Sequence, residues 1–195
     1  MRVLYGAKHY FTDHQLLIIY KSHVRSQMEY NSHLFAGCGE GALNSLDSIQ
    51  KQFIKLINNP SLTDSLPALS VRRDVSCLCL FYRYFHGNCS DEISSIMPPL
   101  SNPARRTRTS EAMHGFTVDV PFARTQKFYD SFLPRTCRLW NFLHPSTFPL
   151  NYNLQLFKSS VFKFLSSGNS WTLRGYQVCV SACFKGFLSI KKKKK

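Results

Sequence analysis

Residues 12–28, "TDHQLLIIYKSHVRSQM", and residues 45–57, "SLDSIQKQFIKLI", decide how this chain folds. In the first, Leu16, Leu17, Tyr20, Val24 and Met28 recur at helical spacing and make one apolar face. Thr12 followed by Gln15 is a capping box, and Asp13 suits the positive end of a helix. In the second, which starts at about Leu43, the residues Leu46, Ile49, Phe53, Leu56 and Ile57 share a face. Asn58-Asn59-Pro60 ends it. Gly37, Gly39 and Gly41 break the chain between them. Residues 1–60 therefore read as a helical hairpin.

Outward from the hairpin the pattern stays mainly α. A third helix is capped by Ser70 and ended by Gly87, with Val71, Val75, Leu78, Tyr82 and Phe85 as its apolar stripe. A short helix over Asp91–Ile96 is capped by Ser90 and stopped by Pro98-Pro99. Residues 98–114 carry Pro103, Arg105, Arg106 and Arg108 and read as an exposed linker. Phe116–Val120 alternates, which predicts a strand, with Gln126–Tyr129 as its partner in a minor β hairpin near 116–129. Further helices are expected near Leu133–Leu143 and Asn153–Leu165, completing a helical region over 61–165. Residues 166–195 lose the pattern and are expected to be a disordered tail. The tail ends in five lysines, which read as translated poly(A), since lysine is encoded by AAA.

A chain of 195 residues has room for one domain with an appended part, and 44% hydrophobic residues are ample for a core. The net charge of +14 is uneven: residues 1–60 carry six Lys/Arg against four acids, and residues 166–195 carry seven against none. Half of the excess thus sits in the tail, so charge alone does not establish a nucleic-acid partner. The seven cysteines are odd in number and irregularly spaced, and no secretory pattern precedes them. The expectation is an intracellular, reduced protein. No stretch approaches the roughly 20 apolar residues of a membrane span.

Four blocks carry a resemblance: Tyr20–Phe35 "YKSHVRSQMEYNSHLF", then "SLDSIQKQFIKLI", then Leu69–Gly87 "LSVRRDVSCLCLFYRYFHG", then His114–Pro149 "HGFTVDVPFARTQKFYDSFLPRTCRLWNFLHPSTFP". In this order they resemble the end of the reverse transcriptase of jockey-like non-LTR retrotransposons, over about residues 3–165. The resemblance implies a thumb that leans on a primer–template duplex, followed by a C-terminal region. It also implies an RNA-directed DNA polymerase family. The family's catalytic signature, an aromatic residue, any residue and then two aspartates, lies upstream of the thumb. No two aspartates are adjacent here. Two-metal phosphoryl transfer needs converging carboxylates, so the chain is expected to be a remnant without polymerase activity of its own, with no cofactor. It leaves open whether Met1 is a true start. The alternatives are a non-catalytic nucleic-acid-binding or assembly module and an inert open reading frame.

The candidate contacts for RNA or DNA, expected to be weak, are Arg72, Arg73, Arg105, Arg106, Arg108, Arg124, Lys127, Arg135 and Arg138. Phe116, Phe122, Phe128, Tyr129 and Trp140 are interleaved with them, the pairing of cations and stacking platforms that holds single strands. The same residues also read as core aromatics beneath a solvated basic face. Arg72-Arg73-Asp74 reads as a salt-bridged helix start. Cys77, Cys79, Cys89 and His86 invite zinc, but positions two apart on a helix do not share a face, so buried free thiols are expected. Cys179 and Cys183 share a helical spacing without a nearby His. No Gly-x-Ser-x-Gly or His-Glu-x-x-His is present, and Asp119 and Asp130 lack the following acid-x-Lys of a nuclease. Ile18, Ile19 and Leu34 lie off the main stripe of the first helix and are expected to form an exposed second face through which the chain self-associates.

Overall fold

Thr12 caps the first long helix as the sequence predicts. Its hydroxyl accepts from the Gln15 amide at 3.4 Å, and Gln15 Oε1 accepts from the Thr12 amide at 2.9 Å. The structure, a computed structural model, describes residues 2–101 and 114–167. Arg105, Arg106, Arg108, Cys179, Cys183 and all but the first two residues of the expected tail lie outside the described residues.

Helix α1 (Arg2–Ala7) precedes the cap and α2 (Asp13–Ile19) follows it. A π-helical turn, Tyr20–Val24, then leads into α3 (Arg25–Glu29). The single helix expected from periodicity is thus widened in its middle, where the Arg25 amide reaches back to the Tyr20 carbonyl. Tyr20 is buried there, stacks on Phe53 at 3.9 Å and donates to Gln50 Oε1 at 3.3 Å. Asn31, at φ 50°, turns the chain into a 3-10 segment, Ser32–Gly37.

Helix α4 (Glu40–Ile57) starts earlier than the expected Leu43, with Gly39 as its N-cap and Gly41 in its first turn. Asn58 at φ 51° ends it, and Pro60 opens α5 (Pro60–Thr63), where a missing amide costs nothing. Helix α6 (Leu69–Phe85) is capped by Ala68, so Ser70 is inside its first turn rather than its cap. It ends at Gly87, whose φ of 73° suits a residue without a Cβ. Helix α7 (Asp91–Ile96) follows.

The expected β hairpin does not form among the described residues. Gln126–Asp130 is a short helix, α8, capped by the Thr125 hydroxyl, which accepts from the Phe128 amide at 3.3 Å. Val118 instead makes an isolated antiparallel bridge with Leu100. The Ser101 amide donates to Thr117 O at 2.8 Å and the Asp119 amide to Pro99 O at 3.0 Å. Helices α9 (Phe132–Phe142) and α10 (Leu154–Ser166) complete a mainly α frame. None of the described helices is long and apolar enough to cross a membrane.

Two apolar clusters form, and α6 serves both. Leu4, Leu16, Leu17, Tyr20, Met28, Phe53, Leu56, Ile57 and Leu69 make the first, with Leu62 and Leu66 packed against it. Val75, Leu78, Phe81, Tyr82 and Val118 meet Cys137, Leu139, Trp140, Phe157 and Val161 in the second. Full burial of each large apolar side chain contributes about 1.5–3 kcal/mol. Polar anchoring fixes the register of the second cluster. Trp140 Nε1 donates to Phe116 O at 2.7 Å, and the Asn141 side chain hydrogen-bonds both main-chain groups of Val118, at 2.9 and 2.7 Å.

Candidate nucleic-acid interface

Three consecutive residues near the start of α6 each meet a different helix. Arg72 pairs with Glu29 of α3 through Nε and through Nη2, the latter at 2.7 Å. Arg73 pairs with Asp47 of α4 at 2.7 and 3.2 Å. Asp74 accepts from Arg135 of α9. Arg25 adds a second cation to Glu29 at 3.6 Å, one helical turn away. The hydrogen bond to Glu29 raises the Arg72 pKa, whereas burial lowers that of Arg25. The salt-bridged helix start expected from Arg72-Arg73-Asp74 is present, with every partner supplied from a distant element.

Several of the candidate contacts thereby have partners within the fold. Arg72, Arg73 and Arg135 are committed to carboxylates inside the fold. Arg138 lies over the Tyr129 ring, 3.5 Å from its centroid, and donates to Tyr129 O at 2.8 Å. Four of the nine residues therefore brace the structure. Arg105, Arg106 and Arg108 lie outside the described residues. Arg124 and Lys127 are exposed, on the segment that leads into α8 and on α8 itself.

The interleaved aromatics separate in the same way. Trp140 is fully buried, in ring contact with Phe81, Phe85, Phe148 and Phe157. Phe116 is partly covered by Phe85 and Phe148. Phe122 and Phe128 are 85% and 45% exposed. Residues 122–128 thus carry two exposed rings and two exposed cations.

Cys77 is buried, and burial pushes its thiol up to about 11, that of Cys79 to about 11 and that of Cys137 to about 12. Protonated thiols in apolar surroundings are poor metal ligands and nucleophiles. Among the described residues no group of three or more His, Cys, Asp or Glu side chains is placed to hold a metal ion.

The sequence reading missed His114. It is buried, its Nε2 donates to Trp140 O at 3.0 Å and its Nδ1 accepts from the Phe116 amide at 3.2 Å. Burial lowers its pKa. With one ring nitrogen donating and the other accepting, the imidazole has a structural place in the second cluster. Compared with protein-family models, curated proteins and solved structures, the chain matches none.

Proposed function

We propose that this chain is the thumb and downstream region of a reverse transcriptase of the non-LTR retrotransposon kind, contributing contacts to nucleic acid and no catalysis of its own. The observation that carries the reading is the order of the four sequence blocks over residues 20–149. Two features support it. The frame is helical from α1 to α10, as a thumb requires. The carboxylates of Glu29, Asp47 and Asp74 are engaged by arginines, which leaves them to stabilise the fold and not to gather divalent cations.

The genomic DNA upstream of the Met1 codon tests this reading. An in-frame palm with an adjacent pair of aspartates is the expected result. Upstream DNA with no polymerase-like coding sequence in any frame overturns it.

A second reading, a separate nucleic-acid-binding module, is favoured by the exposed rings and cations of residues 122–128. It predicts binding without any palm sequence upstream.

A further inference from the structure

We propose that Phe122, Arg124, Lys127 and Phe128 form a surface for a single-stranded nucleic acid, the phenyl rings stacking on bases and the cations meeting phosphates. This deepens the reading above and rests on its nucleic-acid-facing part.

Large apolar side chains left in water lose the gain of burial, and here two exposed rings share the short stretch 122–128 with two exposed cations. Phe122 is 85% exposed and Phe128 45% exposed. The rings of Phe81 and Phe157 in the neighbouring core are fully buried. The segment does not lack structure that would have hidden its rings. Thr125 caps α8, Gln126 Nε2 donates to Asp130 at 2.7 Å, and Ser131 Oγ donates to Phe128 O at 2.7 Å. Residue 125 divides an irregular stretch from a helical one. The two ring-bearing residues are therefore no more than about 15 Å apart, a span of a few nucleotides.

The chemistry selects the partner. Stacking needs an open base face, which a duplex hides inside its own stack. An acidic polypeptide offers charge to Arg124 and Lys127 but nothing planar to the rings. Asp119 and Asp130 flank the cations, so the local net charge is small and affinity must come largely from the rings. Stacking does not consult the sugar, so RNA and DNA strands are expected to bind alike.

Fluorescence anisotropy of the full chain tests the surface, using a labelled oligouridylate, an oligothymidylate, a hairpin duplex and polyglutamate. Each ring contributes at least about 5-fold, so Phe122→Ala with Phe128→Ala is expected to weaken both single strands by about 25-fold or more. Duplex binding should stay within about 2-fold. Arg124→Gln with Lys127→Gln should flatten the logarithmic salt slope by about 1.4, at about 0.7 for each phosphate no longer neutralised. Phe122→Tyr should retain binding, which separates stacking from misfolding. Single-strand affinity within about 2-fold of the parent in the double phenylalanine variant overturns the surface, as does an equal loss on duplex or polyglutamate. Binding that persists but ignores the phenylalanines sinks this surface alone. A parent chain that binds no single strand sinks both the surface and the nucleic-acid part of the reading.

Discussion

Arg73 closes on the carboxylate of Asp47 through both terminal nitrogens, at 2.7 and 3.2 Å, while remaining only 8% exposed. The planar fork of an arginine suits this two-point contact, and a lysine would not reproduce it. Removing one member of a buried pair leaves the other charge uncompensated, at about 3–5 kcal/mol when both are dry. The Asp47 side chain keeps 29% of its exposure, so water screens part of the pair. Asp47→Asn is expected to cost about 1–3 kcal/mol in urea unfolding. A double-mutant cycle with Arg73→Met should return a coupling above about 0.5 kcal/mol. A loss below that would mean the pair is solvated and structurally idle.

Acid should loosen the second cluster through His114. Its Nδ1 faces the Phe116 amide, so a proton there would set two N–H groups against each other. The ring lies among Phe116, Phe148 and Trp140, and burial lowers its pKa below 6.5. The folded form then binds fewer protons than the unfolded chain, and stability falls as pH drops through 6.5 toward the folded pKa. His86 is shifted in the same direction by burial. His114→Gln should therefore reduce, without abolishing, the fall in urea midpoint between pH 7.5 and 5.5. An unchanged slope in that variant would remove His114 from the account.

Ile18 and Ile19, neighbours in sequence, should answer differently to charge. Ile18 is 53% exposed, as is expected of a second face, and Leu34 is exposed with it. Ile19 packs against the first cluster, which corrects the expectation that both are outward. Ile18→Lys is expected to lower self-association in sedimentation with little change in stability. Ile19→Lys should cost about 1–3 kcal/mol, because a charge enters an apolar contact. Equal effects of the two substitutions would contradict this division.

Primer extension provides a separate check. The chain alone, with Mg²⁺ or Mn²⁺, is expected to extend no primer on an RNA template. Template-dependent incorporation above that of a heat-inactivated sample would show a catalytic centre that the residues do not suggest.

Local signals were readable in the sequence wherever a single turn decides the outcome. Thr12 with Gln15, Asn58 before Pro60, and Gly87 after a long stripe each marked a boundary that the fold keeps. Gln126–Tyr129 misled because alternation over four residues cannot separate a strand from one helical turn. The Thr125 hydroxyl, able to cap either way, settles it only in three dimensions. Tyr20, where the π turn begins, stacks on Phe53, far along the chain. The candidate contacts were legible as a set of cations and rings, not as a sorting of them. Arg72 finds Glu29, and Arg135 finds Asp74, across separations of 43 and 61 residues. Only the packing of α6 brings such partners together, so which arginines remained outward was beyond reach.

The bridge between Leu100 and Val118 ties together two stretches of chain that lie apart in the sequence. Ser101 to Thr117 and Asp119 to Pro99 clamp the two sides. An epitope or a fluorescent reporter spliced between Ser101 and His114 is expected to leave this pairing, and the helices on either side, in register.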